Sequence, residues 1–178
     1  MTATKTRQTI AQRIKHLRPC GEANEWASKY TSPAKAWAAC ERGDWMMWLI
    51  GKASGPPESA GRKKLVLCAC DCARLALPIF EKRRPNDDRV RKCIETAERW
   101  ANGKATINEL RAARKAAAAA AGACDAYYAA AAAAAAYAAT AAYAYAATAA
   151  AAYARAITLK QCADIVRKHY PKPPAIKP

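Results

Sequence analysis

The sequence predicts an all-α fold, a compact multi-helix bundle in which alanine-rich helices pack closely. Of the 45 residues from Ala112 to Ala156, 31 are alanine, the residue with the highest helix propensity. Outside this tract, apolar residues recur at helical spacing and the runs end at caps, prolines or glycines. No segment alternates apolar and polar residues as a half-buried strand does.

The first two helices are predicted from short signals. Ile10, Ile14 and Leu17 recur at i, i+4 and i+7, and this basic amphipathic run stops at Pro19. Ser32 before a proline has the form of an N-cap with proline at the first helical position. A helix is therefore expected over residues 34–41, ending at Gly43.

Two apolar helices should follow. Asp44 is predicted to cap the run WMMWLIGK, which is apolar on nearly every side and must be buried. The loop SGPPES then leads into a long helix expected over residues 58–79. Asp71 and Arg74 lie three residues apart at the polar edge of this helix, where they can form an ion pair.

Three further signals bound the remaining helices. Residues 88–101 carry a clear apolar stripe, and Gly103 sits where a C-terminal glycine cap belongs. Thr106 with Glu109 has the pattern of a capping box that opens the alanine-rich run. The last helix ends at Pro171, and one of its faces is predicted to be buried through Cys162, Ile165, Val166 and His169.

The alanine tract should not be one straight rod. An unbroken helix from Ile107 to Tyr170 would be about 95 Å long, whereas a compact chain of this length has a radius of gyration near 16 Å, an order-of-magnitude expectation. A reversal is expected around residues 122–125, with a second kink near residues 155–158. Six tyrosines point several ways around the tract, which favours an enclosed scaffold helix.

The 178 residues predict a single helical domain. Residues 1–18 are interpreted as a peripheral basic helix, and residues 171–178 as a proline-rich tail. The N-terminal residues lack the apolar run of a signal peptide, and alanine drives membrane insertion weakly. We therefore expect a cytoplasmic protein without a membrane span, whose eight cysteines are reduced thiols.

The formal net charge of +16 favours an anionic partner, either an acidic protein face or a nucleotide-type small molecule. The positive charge is spread along the chain, with local clusters at residues 62–64 and 82–84. A solvated surface that keeps the chain soluble is the alternative. Nucleic acid is also compatible with the charge, but no recognition motif is present. A homo-oligomer stays open, because alanine faces could pair between chains.

Little in the sequence indicates catalysis. Cys68, Cys70 and Cys72 resemble a metal signature, but on a helix Cys70 points away from the other two, so packing against a neighbouring helix is favoured. His169 lies on an apolar face, where a structural histidine is expected. Phosphate-binding loops, nucleophile elbows and paired carboxylates are missing. We expect a non-enzymatic protein with no cofactor and no metal.

The run AWAACERGDWMMWLIGK, residues 36–52, is the densest group of unusual residues. Its charged residues could simply close a tight corner between helices, with the tryptophans in the core. Alternatively, aromatic faces could stack on a planar anion while cations bind its phosphate. The start of the helix after SGPPES, beside three cations, would be the phosphate seat. The candidate ligand-binding residues are Trp37, Glu41, Arg42, Asp44, Trp45, Trp48, Arg62, Lys63, Lys64 and Arg74.

Three segments carry a family resemblance: residues 36–52, GRKKLVLCACDCARLALP at 61–78, and CADIVRKHYPKPP at 162–174. Together with the alanine and tyrosine tract, they resemble the all-helical putative immunity proteins of the five-type, found in bacterial and phage genomes. The resemblance extends over about residues 17–174. It implies a non-catalytic protein that protects by binding.

Two functional hypotheses follow. In the first, the protein is an immunity-type inhibitor that neutralises a toxin or defence component by binding. In the second, it is a phage-type sponge that sequesters a nucleotide-derived immune signal in a basic, aromatic helical pocket.

Overall fold

The computed structural model describes residues 8–56, 58–122 and 149–176. Within these ranges the chain forms α-helices, one short 3-10 helix and no strand, which confirms the predicted all-α class. The helices are α1 (Ile10–Ile14), continued by a 3-10 turn (Lys15–Leu17), α2 (Gly21–Ser28), α3 (Pro33–Ala39), α4 (Gly43–Ala53), α5 (Ala60–Arg83), α6 (Arg89–Ala101), α7 (Ile107–Gly122) and α8 (Ala149–His169).

The predicted N-caps form where local chemistry decides them. The Ser32 hydroxyl accepts from the Lys35 backbone N–H at 3.4 Å, and a proline opens α3. At the start of α7, the Glu109 N–H donates to the Thr106 hydroxyl at 3.2 Å, while the Thr106 N–H donates to the Glu109 carboxylate at 2.7 Å. These bonds occupy backbone donors that the first helical turn leaves without partners.

The end of α6 is also as predicted. Gly103 has a φ of +73°, which a residue without a Cβ adopts without strain. Its N–H donates to the Trp100 carbonyl at 3.0 Å, and the Lys104 N–H donates to the Arg99 carbonyl at 2.7 Å. This pair of bonds is the Schellman arrangement that satisfies the last carbonyls of a helix.

Two predicted helix boundaries are wrong at the corner between α3 and α4. The predicted helix over residues 34–41 ends at Ala39, and Gly43 begins α4 instead of ending α3. Asp44 does not cap α4; it is the second residue of that helix. Its carboxylate instead accepts two hydrogen bonds from the Arg42 guanidinium, at 2.9 and 2.8 Å.

The longer helices differ from prediction at their ends. α5 begins after Ser59 and continues past Pro78 to Arg83, four residues beyond the expected end. α8 runs without interruption through residues 155–158, so the kink expected there is wrong. The reversal expected at residues 122–125 falls almost wholly outside the described residues, as does most of the alanine and tyrosine tract.

Buried residues form two clusters. The larger one, here called the main core, lies between α4, α5, α6, α7 and α8 and is built of aliphatic residues, alanines and thiols. The smaller one, here called the N-terminal cluster, joins α1, α2 and α3 through Ile10, Ala11, Ile14, Ala27 and Ala36. Trp26 and Leu49 pack against both clusters, so the two lie side by side.

The closest helix contact in the main core is made by Gly43. A Cβ atom at this position would lie 2.5 Å from the Cys162 Cβ and 2.7 Å from the Ala163 backbone nitrogen. Only glycine therefore allows the start of α4 to rest on the middle of α8. Among the described helices, none has the length and apolar character needed to cross a membrane.

Candidate functional site

A cleft lined by tryptophans lies between α1, α2, α3, α4 and the C-terminal segment. We call it the tryptophan cleft; its volume is about 70 Å³. Trp37, Trp45 and Trp48, three of the predicted ligand-binding residues, line this cleft. The other lining residues are apolar as well: Ile10, Ile14, Ala23, Trp26, Ala27, Pro33, Ala36, Cys40, Met46, Leu49, Pro173 and Ile176.

The indole N–H groups of the cleft differ in their hydrogen bonding. The Trp37 N–H donates to the backbone carbonyl of Tyr170 at 2.9 Å, which fixes the end of α8 to α3. The Trp45 N–H is buried and, within the described part of the chain, has no acceptor. Buried polar groups in proteins are nearly always paired, so this N–H and the buried Tyr170 hydroxyl, which also has no hydrogen-bond partner, are exceptions among the described side chains.

The charged residues of the segment 36–52 close the helix corner. Arg42 binds Asp44 in two hydrogen bonds, reaches Glu22 at 3.3 Å, and lies 4.2 Å from the centre of the Trp45 ring. Asp44 is only 8% exposed, so its charge is held by this guanidinium. Glu41 pairs with Lys160 of α8 at 2.7 Å. These contacts fit the structural interpretation of the segment.

The cations at the start of α5 are engaged within the protein. The Arg62 guanidinium donates to the backbone carbonyls of Gly51 and Gly55, at 3.2 and 3.0 Å. Lys63 lies 5.8 Å from the centre of the Trp100 ring, and Lys64 lies 4.7 Å from that of Tyr170. None of these three cations lines the tryptophan cleft.

The ion pair predicted within α5 is replaced by two pairs between helices. Arg74 binds the Glu98 carboxylate of α6 in two hydrogen bonds, at 2.9 and 2.7 Å, and this bonding raises its pKa. Asp71 contacts His169 of α8 at 2.7 Å. The predicted pair is wrong because helices on both sides of α5 offer better-placed partners. Cys162 and Val166 are buried as predicted, but Ile165 and His169 are only partly buried, and the structural role expected of His169 stays a prediction.

The three cysteines of α5 are arranged as the helical spacing predicts: Cys70 points to a different helix from Cys68 and Cys72. The Cys68 sulfur lies 3.9 Å from the Met47 sulfur of α4, and the Cys70 sulfur lies 3.8 Å from the Ile94 carbonyl of α6. The Cys72 sulfur lies 4.0 Å from the carbonyl of Cys162 in α8. In the described part of the chain, His, Cys, Asp and Glu residues form no group that could hold a metal ion.

Burial makes these thiols poor nucleophiles. It raises the pKa of Cys40 and of Cys93 to about 11, and that of Cys70 to about 12. Hydrogen bonding with Cys162 and Cys68, together with burial, also raises the pKa of Cys72. Since the thiolate is the reactive form, these four cysteines stay protonated and unreactive at neutral pH.

The predicted site residues thus lie in three places: the cleft, the helix corner and the outer surface of α5. Sequence reasoning missed Trp26, which stacks against Tyr30 and Trp45, and the segment after α8. The prolines and the isoleucine of that segment were the sequence signal that could have indicated its packing against the helices. The Arg167 side chain donates a hydrogen bond to the Cys40 carbonyl at 2.8 Å. The sequence contains no signal for this contact, because 127 residues separate the two.

The fold and the site define an all-α protein with closely packed buried thiols and one apolar cleft described between its helices. Residues 56–170 match the family model of the Imm-5 like putative immunity protein, and the chain belongs to this family. No curated protein and no solved structure matches the chain. Membership of this family supports an immunity-type role in general terms. The matched residues exclude the segment 36–52 and every residue that lines the tryptophan cleft.

Proposed function

We propose that this protein protects by binding: it neutralises a toxin or a defence component in a stoichiometric complex and performs no catalytic step. The observation that carries the proposal is the family match over residues 56–170, which include α5, α6, α7 and most of α8. The raised pKa values of Cys40, Cys70, Cys72 and Cys93 support it, because they keep these four thiols protonated at neutral pH.

Electrostatics indicate the kind of partner. Five exposed cations lie in or next to α1, α2 and α3, and none of them forms an ion pair with a described residue. These cations are Arg13, Lys15, Arg18, Lys29 and Lys35. We call them the N-terminal basic face. In the family-matched region, Arg74, Arg91 and Arg99 are paired with carboxylates, whereas the exposed Lys82, Lys104 and Arg114 form no ion pair with a described residue. An acidic protein surface would be attracted to unpaired cations of this kind and would bind them faster.

A pull-down from cells that carry the cognate toxin or defence system tests the proposal. We expect the tagged protein to retain one protein partner in a fixed ratio, and increasing salt to weaken the complex. A variant with Lys29→Glu and Lys35→Glu should lose most of the partner. A variant with Arg74→Gln and Glu98→Gln is the matched control, because it changes charges only inside an existing pair. Failure to retain a protein in a fixed ratio would contradict the proposal.

The same preparation tests the sponge hypothesis. That hypothesis requires aromatic rings and cations around one pocket, whereas the α5 cations Arg62, Lys63 and Lys64 do not line the tryptophan cleft. We therefore expect denatured protein from signal-producing cells to release no nucleotide detectable by mass spectrometry. Release of a nucleotide in a fixed ratio would favour the sponge over the protein complex.

A further inference from the structure

The chain places its own proline-rich end in the tryptophan cleft. After α8 the backbone turns away at Pro171, and Pro173 and Ile176 form part of the cleft lining. Ile176 packs against the N-terminal cluster, and the Trp37 N–H holds the Tyr170 carbonyl where the segment begins. The cleft is therefore already a binding site for an extended peptide, and its present occupant is residues 171–176.

The chemistry of this occupant follows from its prolines. Proline fixes φ, so an extended proline-rich segment loses little conformational freedom on docking, and its rings pack well against aromatic side chains. The tryptophan cleft supplies Trp26, Trp37, Trp45 and Trp48 for that purpose. A segment with prolines and a small aliphatic anchor is the ligand class that the cleft fits.

Residues 171–176 do not fill the tryptophan cleft. A volume of about 70 Å³ remains beside these residues. The buried Trp45 N–H has no acceptor among the described residues, whereas the Trp37 N–H has the Tyr170 carbonyl. An incoming segment with a backbone carbonyl near Trp45 would gain a hydrogen bond that the resident segment does not make.

Charge also favours a different occupant. The resident segment contains Lys172, and the helices that line the cleft carry the N-terminal basic face. Lys52 lies 5.7 Å from the centre of the Trp48 ring, which lines the cleft. Residues 10–53, which form the lining helices, carry seven Lys and Arg against four Asp and Glu, among them Glu22 and Glu25. Like charges on the segment and around the cleft weaken its docking, while acidic residues at the same positions would strengthen it.

We infer that the tryptophan cleft docks an extended, proline-containing, acidic segment of the protein partner, which displaces residues 171–176 of this chain. The inference rests on the proposed function, since it assigns a contact to the same partner. Until the partner arrives, the resident segment covers the cleft. The segment thus acts as an intramolecular competitor whose effective concentration is in the millimolar range, an order-of-magnitude expectation for a short tether.

Fluorescently labelled peptides test this on the full-length chain. One peptide has the sequence of residues 170–178, YPKPPAIKP, and the other replaces both lysines by glutamate. A full-length variant with Pro173→Ser and Ile176→Ser loosens the resident segment. We expect this variant to bind the glutamate peptide at least about tenfold more tightly than the unchanged chain does. It should also bind the glutamate peptide about tenfold more tightly than the lysine peptide.

A matched pair of tryptophan variants separates docking from general stability. Trp45→Phe keeps an aromatic ring but removes the unpaired N–H, and we expect it to weaken binding of the glutamate peptide about fivefold in the loosened chain. Trp100→Phe makes the same chemical change on α6, away from the cleft, and should leave binding unchanged. Melting curves by circular dichroism establish that every variant is folded.

Three outcomes would overturn the inference: a folded, loosened chain that binds neither peptide, equal binding of the two peptides, or dimerisation of the loosened chain in light scattering. Dimerisation would mean that the cleft takes the segment of a second copy. The assay requires no toxin, so peptide binding without retention of a partner would contradict only the proposed function. Retention of a partner without peptide binding would contradict only the cleft.

Discussion

The main core has small residues at its close helix contacts, whereas the tryptophan cleft beside the N-terminal cluster is lined by large rings. In the main core, Cys68, Ala69 and Cys70 are fully buried, and Gly43 lets α4 lie directly against α8. The N-terminal cluster is flanked by large tryptophan rings, and a volume of about 70 Å³ is left between them. Small residues fill space completely because backbones can approach, whereas large rigid rings leave gaps that another molecule can use.

This difference follows the extent of the family match. The family match covers residues 56–170, which supply most of the main core. The tightly packed region and the region covered by the family model therefore largely coincide, and every residue that lines the cleft lies outside that model. The predictions below test whether one region is tightly packed and the other is not.

The largest effect is expected from truncating an aliphatic residue. Ile94→Ala, at a position only 1% exposed between α5 and α6, should lower the free energy of unfolding by about 2–5 kcal/mol, because the dense surroundings cannot collapse into the cavity. Ile176→Ala, at the edge of the cleft, should cost about 1 kcal/mol, since its side chain is only partly buried. Urea unfolding of both variants checks this. Equal losses would remove the contrast between the regions.

Substituting two glycines, one in each region, should give the next largest difference in the free energy of unfolding. Gly43→Ala should cost about 1–3 kcal/mol, because the new methyl group would overlap Cys162 and the Ala163 backbone. Gly21→Ala, in the first turn of α2, meets nothing within 4 Å and should be neutral or stabilise by about 0.5–1 kcal/mol. Thermal melts of the two variants measure the difference. A stable Gly43→Ala variant would show that α4 and α8 can move apart without cost.

The smallest effect is a pH dependence carried by the core thiols. Burial raises the pKa of Cys40 from 9.0 to about 11, so between these values the folded chain keeps a proton that the unfolded chain releases. The free energy of unfolding is therefore unaffected by this thiol below pH 9, and it falls as the pH rises from 9 towards 11. Cys40→Ala should reduce this loss by about 1 kcal/mol at pH 10.

The exposed Cys20 provides the control for this measurement. Cys20→Ala should leave the slope of stability against pH unchanged, because folding leaves this side chain exposed to solvent. Urea unfolding at pH 8, 9 and 10 supplies the slopes. A parallel dependence for the unchanged chain and Cys40→Ala would contradict the assignment of the slope to this thiol.

Local sequence signals predicted most of the fold. The Ser32 cap, the Gly103 turn and the Thr106 capping box formed as expected because each depends on residues within five positions of one another. The same holds for the three cysteines of α5, whose directions follow from helical spacing. The errors at Gly43 and in the Asp71 pair arose where a distant helix decided the outcome.

The candidate site was predicted in part. The tryptophans of the segment 36–52 do share a cleft, and hydrophobicity with aromatic density was sufficient to single them out. The cations were assigned to the same pocket on their number alone. Arg62 binds two backbone carbonyls and Arg42 binds a buried carboxylate, and neither partner could be recognised from composition. Binding by any of the predicted site residues stays a prediction.

The sequence by itself determined the all-α class, the caps at Ser32, Gly103 and Thr106, and the buried stripe of α6, because helix formation and amphipathicity are set by neighbours within a few residues. Only the tertiary structure decided which elements meet: that α4 rests on α8 through Gly43, that Arg74 binds α6, and that Pro173 and Ile176 line a cleft formed by the first helices. These contacts join residues far apart in sequence, and their energies depend on fit and burial, which spacing alone does not record.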